Sequence, residues 1–122
     1  MREQVVRVFK QYQPTWEVVT AVDMRTGLEA MWTHRTDLIV LDLCLPDSGP
    51  DMSISRIPTM KHAAPVIVLT GVLHEEETED RCYECGASMV WRKDSLHNGG
   101  NAFFVAACDA AMKRNLPTRC AS

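Results

Sequence analysis

Asp37-Leu38-Ile39-Val40-Leu41-Asp42-Leu43 is an almost unbroken apolar run with one carboxylate set inside it. Apolar and polar positions do not alternate here, as they would in a strand with one wet face. A strand buried on both faces reads this way, and such strands belong to parallel sheets. Working outward, Pro65-Val66-Ile67-Val68-Leu69-Thr70 is a second run of the same kind, closed by Gly71. Trp16-Glu17-Val18-Val19-Thr20-Ala21 is rich in β-branched residues and reads as a further strand. Ser88-Met89-Val90-Trp91-Arg92 reads as a short one.

Between the strands the apolar spacing becomes helical. Val5, Val8, Phe9 and Tyr12 recur on one face, so residues 2–12 form an amphipathic helix that Pro14 ends. Leu28, Met31 and Trp32 mark a second helix over 24–35. Pro46-Asp47-Ser48-Gly49-Pro50 is turn chemistry. Ile54, Ile57 and Met60 point to a third helix, against which Pro58 counts. Glu75 to Cys85 reads as a polar, exposed helix stopped by Gly86. Asn98-Gly99-Gly100-Asn101 offers an N-cap to a last helix, Ala102 to Arg114, with Phe103, Ala106, Ala107 and Ala110 on one face. The order α-β-α-β-α-β-α-β-α predicts an α/β layered fold around a parallel sheet. Residues 1–115 then make one domain, and 116–122 a C-terminal tail.

Composition narrows the function. Thirteen basic residues stand against sixteen acidic ones, a formal net charge of −3, which argues against direct nucleic-acid binding. No apolar run has the length of a membrane span, and Met1-Arg2-Glu3-Gln4 does not open a signal peptide. Five cysteines, an odd number, do not suggest a disulfide framework and point to a cytoplasmic protein with reduced thiols.

In parallel sheets the chemistry sits beyond the carboxyl ends of the strands. Asp42 lies at the end of one run, Thr70 closes the next, and Lys93 follows the last. A carboxylate, a hydroxyl and an ammonium would meet at one edge. Burying a carboxylate in an apolar strand costs several kcal/mol unless it is paired or solvated. An Asp42–Lys93 ion pair with Thr70 capping a turn would account for the same residues without any reaction.

These segments carry a resemblance. Residues 37–49, Pro65 to Gly71 and Gly86 to Lys93, with their mutual spacing, resemble a response-regulator receiver domain of two-component signalling. The likeness covers about residues 2–114. It implies a flavodoxin-like three-layer α/β/α fold, with four parallel strands here instead of five. It also implies that Asp42 accepts a phosphoryl group from a histidine kinase or phosphotransfer partner. Lys93 would neutralise phosphoryl oxygens, and the Thr70 hydroxyl would bond the group once attached. Asp42 and the Cys44 backbone carbonyl would be Mg²⁺ ligands. At most the chain would catalyse its own phosphoryl transfer and hydrolysis at Asp42.

The chain also departs from that pattern. A receiver opens with a strand ending in an acidic pair that holds Mg²⁺, whereas residue 1 here falls near the start of the first helix, so the resemblance is incomplete at its N-terminus. Asp23 follows the wrong strand, and Glu3 lies within a helix. Mg²⁺ binding and phosphorylation are therefore expected to be weak or lost. The strand at 16–21, without its usual neighbour, is expected to pair with 37–43, swap into a homodimer or leave an open edge. Val90 stands where the family often has a switching aromatic, and valine has no ring to move. The alternative function is a pseudo-receiver, a phosphorylation-independent interaction or dimerisation module. A flavin binder ranks last, because no Ser/Thr/Gly-rich phosphate loop follows the first strand. Cys82-Tyr83-Glu84-Cys85 has a metal or redox spacing, but no second ligand pair accompanies it.

Overall fold

The computed structural model describes residues 2–43, 45–71, 76–93 and 101–115. Eight elements follow one another: α1 (Arg2–Tyr12), α2 (Met24–Thr33), β1 (Ile39–Asp42), α3 (Pro50–Met60), β2 (Val66–Thr70), α4 (Glu76–Glu84), β3 (Met89–Arg92) and α5 (Asn101–Asn115). The strands form one parallel sheet in the order β1-β2-β3, with Ile39 beside Val66 and Ile67 beside Met89.

Strand alternation divides the side chains between two helical layers. Leu41, Val66 and Val68 face Met24, Met31, Ile54, Ile57, Met60 and Cys82 of α2, α3 and α4. Ile67 and Leu69 face Val5, Val8 and Phe9 of α1 and Phe104, Val105 and Cys108 of α5. This is the three-layer α/β/α arrangement expected. Every residue of β2 is buried, as its unbroken apolar run requires.

Three expectations need correction. Residues 17–21 have no place in the sheet, so among the described residues there are three strands, not four. β-Branched residues make a strand only where a ladder partner stands beside them. Here Trp16 and Val18 instead lay their side chains on the α1–α5 core, as Leu38 and Val40 also do. Pro58 does not break α3. Its cost of about 3 kcal/mol is smaller than the gain from burying Ile54, Ile57 and Met60, at roughly 1.5–3 kcal/mol each. The buried stripe of α5 is Phe104, Val105, Cys108 and Ala111, while Phe103 is 72% exposed. A helix apolar nearly all round has no single face for periodicity to find.

Helix ends follow their residues. Asp23 caps α2, accepting from the Thr26 amide at 2.9 Å and the Thr26 hydroxyl at 2.6 Å. Gly86 ends α4 with a φ of 110°, a conformation open to glycine at little cost. Of the expected capping loop 98–101, Asn101 is already the first residue of α5, while residues 98–100 and the tail at 116–122 lie outside the described residues.

Candidate functional site

Parallel strands bring their carboxyl ends to one edge. Asp42 sits beside Leu69 and Thr70 beside Arg92, so Asp42 ends β1, Thr70 ends β2 and Lys93 follows β3. The Lys93 Nζ lies 2.9 Å from both carboxylate oxygens of Asp42, joining residues 51 positions apart. The two side chains are 23% and 27% exposed. At that depth attraction is less screened than on the surface, and it offsets the desolvation of both charges.

Thr70 is 1% exposed. Its hydroxyl donates to the Trp91 carbonyl at 3.5 Å, a long contact at the limit of hydrogen bonding. The structure thus joins Asp42 to Lys93 and sets Thr70 at the same edge with its hydroxyl loosely engaged elsewhere. Val90 packs on the α2–α4 side. Trp91 packs on the opposite side, its ring edge-on to Phe104 at 5.7 Å. Cys44 lies outside the described residues.

Mg²⁺ needs a nearly octahedral oxygen shell. Among the described residues no group of three or more His, Cys, Asp or Glu side chains is placed to hold a metal ion. Asp42, paired with Lys93, would offer such an ion a carboxylate, and no step below passes through it.

The segment after Asp42 is secured in ways that sequence did not show. Leu45 and Ser48 exchange backbone hydrogen bonds of 3.0 and 3.1 Å, closing a turn. The Ser53 hydroxyl of α3 donates to the Leu43 carbonyl at 3.1 Å and meets the Ser48 hydroxyl at 2.9 Å. Asp47 reaches across to α2 and accepts from the amides of Met24 at 2.8 Å and Arg25 at 3.1 Å. Pro46-Asp47-Ser48-Gly49 announced a turn. Nothing in that pattern said which helix its carboxylate would meet.

The CxxC spacing does not make a reactive pair. Cys82 is fully buried, and burial first, then the neighbouring Cys85, pushes its thiol up to about 11. A thiol needs the opposite shift to act as a nucleophile at neutral pH. Burial likewise pushes Cys108 up to about 12. Among the described residues no helix is long and apolar enough to cross a membrane.

Comparison with known proteins agrees with this fold. Residues 1–98 match the family described as the response regulator receiver domain. No curated protein matches the chain. The response regulator domain of Thermotoga maritima CheB is similar with a TM-score of 0.75 and 20% identity, over 93% of this chain and 88% of that one. The receiver domain of NtrX from Brucella abortus gives 0.74 and 19%, over 91% and 88%. The receiver domain of a signal transduction histidine kinase from Syntrophus aciditrophicus gives 0.71 and 18%, over 95% and 84%. At these identities the structural likeness speaks for the fold.

Proposed function

The chain belongs to the response regulator receiver domain family, and from that premise we propose that Asp42 accepts a phosphoryl group. Receiver domains work in phosphorylation-based signalling with histidine kinases or phosphotransfer proteins, and they generally bind Mg²⁺ at an acidic pocket. The donor here is the phosphohistidine of such a partner. One Asp42 oxygen attacks phosphorus, the phosphorus–nitrogen bond breaks, and the imidazole leaves with the bonding pair and takes a proton from solvent. Asp42 becomes an acyl phosphate.

Lys93 supports the attack by holding one carboxylate oxygen while the other reacts. It then stands beside a group carrying about −1.5 to −2 charge, which its ammonium stabilises. Thr70 gives up little by turning to a phosphoryl oxygen, because its 3.5 Å contact to Trp91 is weak. The observation that carries this reading is the Asp42–Lys93 contact across the sheet edge, with both oxygens at 2.9 Å.

Intact mass after incubation with acetyl phosphate, with and without Mg²⁺, tests it. A phosphoryl adduct is expected in the wild-type chain and absent from Asp42→Asn. No adduct under either condition would sink the proposal and leave the phosphorylation-independent interaction module as the working function.

A further inference from the structure

Three amides open α2, and two carboxylates satisfy them. Asp23, the local cap, takes Thr26. Asp47, more than twenty residues further along, takes Met24 and Arg25. A helix start needs one good cap, worth about 1 kcal/mol. Bringing a second carboxylate to the same end adds repulsion, which the amides and the helix dipole offset. The second carboxylate therefore does more for the segment it comes from than for the helix it meets.

That segment leaves Asp42. It is held on the α3 side by Ser53, which is fully buried and bonds the Leu43 carbonyl, and by Ser48, which is 4% exposed. Those ties are local in sequence, ten and five residues apart. Asp47 supplies the distant one. The backbone between Asp42 and α3 is thus fixed from two helices that pack on one another through the same core.

We propose that Asp47 is a positioning residue for Asp42, tying the segment that leaves the phosphoacceptor to the N-terminus of α2. The inference rests on the reading of Asp42 given above.

The test compares Asp47→Ala, Asp47→Asn and Asp23→Ala. Displacing a reacting group by about 1 Å can cost on the order of 100-fold in rate. Asp47→Ala is expected to slow adduct formation from acetyl phosphate roughly tenfold at saturating donor, with Asp47→Asn between it and wild type. Asp23→Ala weakens α2 without touching the turn, and its rate is expected to stay within about twofold of wild type while its melting point falls. An unchanged rate in Asp47→Ala, or an equal loss in Asp23→Ala, overturns the inference. Amide hydrogen exchange reads the tie without phosphorylation. Leu45 and Ser48 should exchange faster in Asp47→Ala and not in Asp23→Ala, and unchanged exchange there overturns the inference. A wild-type chain that forms no adduct overturns the reading of Asp42, a separate result from any change at Leu45 and Ser48.

Discussion

The two outer strands of the sheet meet solvent on different terms. At β3 the Val90 amide points away from β2, and the Tyr83 hydroxyl of α4 accepts it at 3.2 Å. At β1 the amides of Ile39 and Leu43 go to the Pro65 and Leu69 carbonyls of the β2 side. Alternation then turns the Val40 amide outward, and among the described residues no strand lies on that side. Edges are commonly covered by a helix, a charge or a proline. β3 has such a cover. β1 is one of the most apolar stretches in the chain, and 17–21 does not join it in the sheet. Apolar runs therefore report burial of a strand's faces and say nothing of its edges.

The largest test of that contrast sets the central strand against the open one. Ile67 in β2 is fully buried, and Val40 in β1 is half-buried. Ile67→Ala should lower stability by about 3–4 kcal/mol. Val40→Ala should cost about 1 kcal/mol, because it removes less buried surface. Urea denaturation of both variants measures the difference. Equal losses would mean that β1 is as enclosed as β2 and that its open edge is covered in solution.

The same contrast explains what could be read in advance. The apolar runs at 38–41 and 66–69 placed β1 and β2, and the helical spacing of Val5, Val8 and Phe9 placed α1. Asp42, Thr70 and Lys93 were legible because parallel strands must end on one side, whatever else the chain does. The stretch 16–21 was misread because its side chains favour a strand while its neighbour decides whether one forms. Asp47 and Tyr83 were invisible for a related reason. Each acts through a partner set by packing, at 22 or more residues for Asp47 and across a helix–strand turn for Tyr83.

The covered edge depends on where α4 stops. Gly86 adopts a φ of 110°, and a Cβ added there would also run into the Lys61 side chain. Gly86→Ala should cost about 1–2 kcal/mol from backbone strain, with some relief as the flexible lysine moves aside. A thermal melt reads the loss. If the hydrogen bond at Val90 depends on how α4 ends, Val90 exchange should quicken in this variant while Val40 exchange stays as it was. Quickening at both edges would point to general loosening of the sheet.

Tyr83→Phe makes the smallest and most direct test. It removes one oxygen, keeps the ring, and leaves Val90 with water as its acceptor. Tyr83 is 42% exposed, so water can reach the site, and the net loss should be about 0.5–1 kcal/mol. That corresponds to exchange a few times faster at the Val90 amide, since about 1.4 kcal/mol makes a factor of ten. In the wild-type chain Val90 should exchange more slowly than Val40, and in the variant the two should approach each other. Unaltered protection of Val90 would mean that burial by α4, and not the hydroxyl, guards that edge. The contrast between the edges would then rest on what lies over each strand, with no part played by what bonds to it.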